Sequence, residues 1–229
     1  MAKFKLVIFD LDDVIYSEID YIKSGFQAVA NSISNDKKMQ NDLFVVMEKL
    51  FKKDPKHVFD QLLKLSELNL DFKIHTKESL IKIYQQHLPR IKLDSKVILL
   101  LKKIRDNNIF TAILSDGREN SQKLKIKSLG LESIVDKIIL TDSLGSEKKF
   151  WKPSSYGFEI LLEYFKVEPN QACYIGDNLE KDFEGPKKLG IITILFRNKN
   201  GIYYLKKQNN NQCKYVVDSI SELERVIFN

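Results

Sequence analysis

The first apolar run of the chain ends in the residues best suited to chemistry, Phe9-Asp10-Leu11-Asp12-Asp13-Val14. In an extended segment residues i and i+2 point to the same side, so Asp10 and Asp12 project together while Asp13 turns away. Two neighbouring carboxylates repel each other and persist where a cation neutralises them or where one keeps a proton. The pair suits a nucleophile beside a general acid, although aspartates after a strand also serve simply to cap a turn. Polar groups recur in the same setting further on. Ser115-Asp116-Gly117 follows an apolar run and precedes a helix, which offers an anion a hydroxyl and backbone N–H groups. Lys152 stands in Phe150-Trp151-Lys152-Pro153, restrained by a tryptophan and a proline. Gly176-Asp177-Asn178 closes another run, and Asp182 follows Asp177 by five residues. Acids so placed could complete a magnesium site, because that hard ion takes oxygen ligands. Each group alone also reads as a turn or a solvated charge. Together they form an inventory for phosphoryl transfer: a carboxylate pair, a hydroxyl with an amide nest, a lysine and further carboxylates.

Five short apolar runs, at 4–9, 109–114, 137–140, 172–176 and 191–195, have the length of buried strands, and 215–217 is a weaker sixth. Their apolarity is continuous rather than alternating, as in parallel strands covered on both faces. Between them lie amphipathic helical patterns. Residues 95–107 align Val97, Leu100, Leu101 and Ile104, and residues 154–166 align Phe158, Leu161, Leu162 and Phe165 after Pro153 at a first-turn position. Ser219 and Glu222 open a last helix with a capping-box signature. Strand and helix in alternation predict an α/β fold with a doubly wound parallel sheet. Every chemical group above then falls just after a different strand, and such ends share one edge of the sheet.

One interruption breaks the alternation. Residues 17–91 read as all helix, with stripes Ile19, Ile22, Phe26, Val29, Ile33 and Met39, Leu43, Val46, Leu50. After Asp54-Pro55 come Val58, Phe59, Leu62 and Leu65, and after an N-cap at Thr76 come Leu80, Ile83, Tyr84 and His87. The expectation is a four-helix bundle inserted at the end of the first strand, a mobile lid, with residues 1–16 and 92–229 forming the α/β core domain. Lys199–Lys214 reads as an irregular excursion.

Composition narrows the setting. The chain has 229 residues, 43% apolar and 30% charged, as soluble globular proteins do. The first apolar run is too short for a signal peptide, and no stretch approaches a membrane span. Cys173 sits in an apolar run well away from Cys213, so the thiols are expected to be unpaired and the protein cytoplasmic. The net charge of +6 is interspersed, which makes a nucleic-acid partner unlikely on this reading and fits an anionic metabolite at least as well.

The ordered set Asp10-Leu11-Asp12-Asp13-Val14, Ser115, Lys152 before Pro153, and Gly176-Asp177 with Asp182 resembles the four motifs of the haloacid dehalogenase superfamily of aspartate-nucleophile phosphotransferases. The resemblance spans nearly the whole chain. Residues 17–91 look like the small helical cap of the subfamily whose insertion lies between the first and second motifs. The resemblance implies Asp10 as nucleophile, forming an aspartyl-phosphate, and Asp12 as general acid and base. It implies Mg2+ on the Asp10 carboxylate, the Asp12 backbone carbonyl and Asp177. Ser115, the backbone N–H of Asp116 and Lys152 would bind phosphate, with Asp182 and Asn178 supporting them from behind. The superfamily's dehalogenases lack an acid at the position of Asp12, so phosphate chemistry is favoured over halide. The implied activity is a phosphatase acting on a small phosphorylated metabolite, of the sugar phosphate or nucleoside monophosphate class. Tyr16, Glu18 and Tyr21 lie nearest the site in sequence, while Phe26 and Val29 are expected in the bundle core. A phosphosugar mutase uses the same motifs, and a non-catalytic binding protein on the same fold is a further alternative.

Overall fold

The computed structural model describes residues 3–66, 75–202, 204 and 213–229. By internal contacts the chain divides into two compact units, Met1–Ile19 with Lys92–Asn229, and Asp20–Ile91. In the first unit, strands β1 (Leu6–Phe9), β2 (Phe110–Ser115), β3 (Lys137–Leu140), β4 (Ala172–Gly176), β5 (Ile192–Phe196) and β6 (Tyr215–Val217) form one sheet. The order is β3-β2-β1-β4-β5-β6 and every neighbouring pair is parallel. Continuous apolarity has the expected cause: all of β1 and β4 is buried, and Leu6, Ile8, Ala112, Leu114 and Tyr174 pack into one core with Phe158 and Leu161. The chain runs from β1 outward to β3, then returns to the other side of β1 for β4. That reversal leaves a crevice at the carboxyl ends of β1 and β4, where ligands bind in open α/β sheets.

Helices α5 (Ser95–Asp106), α6 (Glu119–Leu129), α7 (Tyr156–Phe165), α8 (Glu184–Leu189) and α9 (Ile220–Phe228) complete this unit. Two expectations are corrected here. Helix α7 starts at Tyr156, so Pro153 occupies the preceding turn rather than the first helical turn, and its bond to Lys152 is cis. At the start of α9 the Ser219 hydroxyl accepts the Glu222 N–H, but the Glu222 carboxylate takes the N–H of Asp218, not that of the cap residue. Helix α6 is unusual in what it buries: Ser121, Gln122 and Lys125 face inward beside Ile126 and Leu129.

Among the described residues the second unit contains helices α1 (Glu18–Ile33), α2 (Lys37–Lys53), α3 (Val58–Ser66) and α4 (Lys77–Gln86). Residues 67–74, inside the expected bundle, lie outside the described residues. Phe26 and Val29 are buried, and the Phe26 ring meets Phe51, Phe59 and Tyr84. The stripe expected on α2 is rotated: Gln40, Leu43 and Met47 are buried, while Met39, Val46 and Leu50 are only half-buried. Gln40 faces inward because its amide donates to the Ser34 carbonyl at 2.7 Å, and a paired amide can be buried at little cost. Leu65, expected in the same core, is exposed. Thr76 caps α4 reciprocally with Ser79. Of the excursion 199–214, residues 203 and 205–212 lie outside the described residues. Among the described residues no helix is long and apolar enough to cross a membrane.

Candidate active site

Asp10 follows β1 directly, and its N–H donates to the Ile175 carbonyl at 2.8 Å, so the sheet ladder itself sets its position. Its Oδ1 lies 2.9 Å from Lys152 Nζ, which makes a second ion pair with Asp182 Oδ1 at 2.9 Å. The ammonium also donates a hydrogen bond to the Tyr174 hydroxyl at 2.8 Å. Asp182 is fully buried, and its Oδ2 accepts the N–H groups of Asp177 and Asn178 at 3.1 and 2.9 Å. Gly176 is required by that contact, because a Cβ there would lie 2.6 Å from Asp182 Oδ2. The sequence thus brings motif residues from the ends of β1 and β4 and from the loop after β3 onto one buried ammonium.

Burial pushes the Asp10 carboxyl up to about 6, although Lys152 pulls it back. Burial, reinforced by Asp10 and Asp182, pushes Asp177 up to about 9. Asp182 moves the other way, since Lys152 and Lys181 outweigh its burial. Burial alone would lower the Lys152 ammonium, but Asp10 and Asp182 overcome it and hold the lysine well above its ordinary value. Carboxylate oxygens of Asp10, Asp177 and Asp182 lie within 4.8 Å of one another. Asp182 Oδ2 accepts two N–H groups and Oδ1 lies beside Lys152, yet no described residue donates a hydrogen bond to the Asp177 carboxylate or to Asp10 Oδ2. Buried, all-oxygen and short of positive charge, this set fits a hard divalent cation such as magnesium.

Asp12 belongs to a different cluster. Lys125 Nζ contacts its two oxygens at 2.8 and 2.9 Å, Gln122 Nε2 donates to Oδ2 at 3.1 Å, and the Tyr16 hydroxyl donates to Oδ1. Burial would raise the Asp12 carboxyl, but these partners outweigh it and hold it below the usual range. Asp13 does turn away, in left-handed backbone geometry with φ of 57°, and its carboxylate accepts the N–H groups of Glu18 and Ile202. It braces the turn.

Ser115 ends β2, and its Oγ accepts from Gln122 Nε2 at 2.8 Å. The Asp116 side chain ties loops together: Oδ1 accepts from Thr141 Oγ1 at 2.7 Å and from the Lys152 N–H at 3.1 Å, and Oδ2 lies 3.5 Å from Lys181 Nζ. No described residue accepts the backbone N–H of Asp116 or of Gly117. Gly117, at φ of 119°, is packed against the Gln122 side chain. Asn178, the remaining expected residue, is buried, and its Oδ1 accepts the Glu180 N–H at 3.0 Å.

Sequence reasoning missed Gln122, Lys125, Thr141, Tyr174 and Lys181. A lysine and a glutamine in a polar helix read as solvent-facing, and Tyr174 reads as one more apolar strand residue. The only available signal was the lack of an apolar stripe in residues 119–129, which leaves polar groups to face the sheet.

The chain is 28% identical to a glyceraldehyde 3-phosphate phosphatase of Pyrococcus furiosus, over 99% of this chain and 94% of that protein. It is 27% identical to the human N-acylneuraminate-9-phosphatase over 61% of this chain and 54% of that one. A HAD-type hydrolase of Bacillus subtilis, solved with bound magnesium, shares the fold at a TM-score of 0.67 and 17% identity, over 98% and 99% of the two chains. Residues 7–196 match the haloacid dehalogenase-like hydrolase family, and the chain belongs to it.

Proposed function

We propose that the protein is a magnesium-dependent phosphomonoester hydrolase that works through an aspartyl-phosphate on Asp10. The observation that carries this reading is the position of Asp10, at the carboxyl end of the central strand, buried against Lys152 and beside the uncompensated Asp177. An Asp10 oxygen attacks phosphorus and the bond from phosphorus to the ester oxygen breaks, which divides one hard displacement into two easier ones. Asp12, carrying the proton taken up in the preceding turnover, gives it to the departing oxygen. It then takes one from the water that releases phosphate from Asp10. Ser115 Oγ and the N–H groups of Asp116 and Gly117 hold phosphoryl oxygens, and Lys152 adds positive charge while orienting Asp10. Magnesium, which the Asp10 and Asp177 carboxylates and the Asp12 backbone carbonyl would hold, supplies the charge that lets a carboxylate approach a phosphate dianion.

The substrate class we infer is a small phosphorylated metabolite, of sugar phosphate type. The names of the relatives support it, and so does a net charge of +6. The test is release of inorganic phosphate from a panel of sugar phosphates, nucleoside monophosphates and p-nitrophenyl phosphate, with magnesium and with chelator. Wild type should release phosphate with magnesium alone. Asp10→Asn should lose about 10³-fold or more, as removal of a covalent nucleophile does. Equal inactivity of both proteins across the panel sinks the reading, and an isomerised sugar phosphate with little free phosphate points to the mutase instead.

A further inference from the structure

Helix α6 turns toward the core a face that no packing argument favours. Lys125 is 5% exposed and Gln122 only 2%. Burying an ammonium costs several kcal/mol before any partner offsets it. Gln122 carries a second cost, because its Oε1 is buried with no hydrogen-bond partner. That orientation is forced on the amide. The Asp12 carboxylate, the Ser115 hydroxyl and the Asp116 carbonyl, at 3.1, 2.8 and 2.6 Å, all face Nε2, and the Asp12 and Asp116 oxygens can only accept. Residues three apart share a helix face, so Gln122 and Lys125 meet Asp12 together. The Tyr16 hydroxyl meets the same carboxylate from the turn before α1. Apolar residues at 122 and 125 would fill this space without either cost. What they could not do is hold both Asp12 oxygens in one orientation.

We propose that Lys125, assisted by Gln122, is the positioning residue for Asp12. It fixes the carboxyl in the orientation from which the proton passes to the departing ester oxygen, and from which a proton of the attacking water is later taken up. This rests on the proposed role of Asp12. A proton donor matters most for an alkoxide leaving group and little for p-nitrophenolate, which departs without one. A variant that misplaces Asp12 must therefore damage alkyl esters selectively, whereas a merely structural lesion damages both alike.

The experiment measures kcat/KM, which reports the first phosphoryl transfer, for p-nitrophenyl phosphate and for glyceraldehyde 3-phosphate or the fastest alkyl ester of the panel. Asp12→Ala should lose about 10²-fold or more on the alkyl ester and far less on p-nitrophenyl phosphate. Lys125→Met should show the same selectivity, with a loss of about tenfold or more on the alkyl ester. In an Asp12→Ala background Lys125→Met should change little further. Lys125→Arg, which keeps the charge, should lose less and in the same selective manner, and it carries the comparison if Lys125→Met does not fold. Equal loss on both esters in a folded Lys125 variant, no loss at all, or a full additional loss in the Asp12→Ala background overturns the positioning role and leaves the phosphatase reading standing. If Asp12→Ala itself fails to discriminate between the esters, the assignment of Asp12 falls, and this inference with it.

Discussion

Removing the ammonium of Lys152 would strand Asp10 and Asp182 as neighbouring carboxylates in a site where both are almost fully buried. Breaking a buried pair in this way costs about 3–5 kcal/mol, because the remaining charge keeps its desolvation penalty. Lys152→Met should therefore lower the melting temperature as well as the activity, and calorimetry separates the two effects. The double variant Lys152→Met with Asp182→Asn should recover part of the stability and none of the activity, since it removes one stranded charge but not the need for positive charge beside phosphate. Recovery of activity would argue against Lys152 as a phosphate contact. Lys152 was legible as a site residue because it preceded a proline after a strand. Its pairing with Asp10 and its support by Asp182 were implied by the family resemblance alone, since the three residues are brought together only by strand order.

At the scale of elements, the loops after β1, β2 and β4 do the positioning, and they depend on small residues. Gly176→Ala drives a Cβ to 2.6 Å from Asp182 Oδ2. The carboxylate must shift, so the N–H bonds from Asp177 and Asn178 should weaken, at a cost of about 1–3 kcal/mol and with a marked loss of phosphatase activity. Thermal unfolding and phosphate release check both. Thr76→Ala is the contrasting case. It removes the N-cap of α4 in the other unit, should cost about 1 kcal/mol, and should leave kcat/KM for p-nitrophenyl phosphate within about twofold. The six strands were readable because continuous apolar runs bounded by polar turns have few alternatives. The rotation of α2 was not, because nothing local announces that the Gln40 amide has found the Ser34 carbonyl.

At the scale of the whole molecule, the proposed magnesium site predicts that a cation adds to stability. A ligand that binds only the folded state stabilises it by about 2.7 kcal/mol at a hundredfold excess over its Kd. Magnesium should accordingly raise the melting temperature of the wild type by a few degrees, and Asp177→Asn should largely abolish that rise. An equal rise in both proteins would place the ion elsewhere. The net charge of +6 is interspersed over many lysines and forms no basic arm, so binding to duplex DNA at physiological salt should be weak and lost within a few hundred millimolar salt, as a filter-binding titration would read.

What the amino-acid order determined by itself was the inventory and its sequence: six apolar runs that must be buried strands, the first four of them followed by groups that can handle phosphate. Period and burial are local properties, so composition and spacing suffice for them. Only the tertiary structure decided which of those groups share a partner. It joined Asp10, Asp182 and Tyr174 through Lys152, and it placed Asp12 with Lys125, Gln122 and Tyr16. Asp12 lies two residues from Asp10 and 113 from Lys125. The crossover order of the sheet and the inward face of α6 close that distance, and neither leaves a periodic signal in the chain.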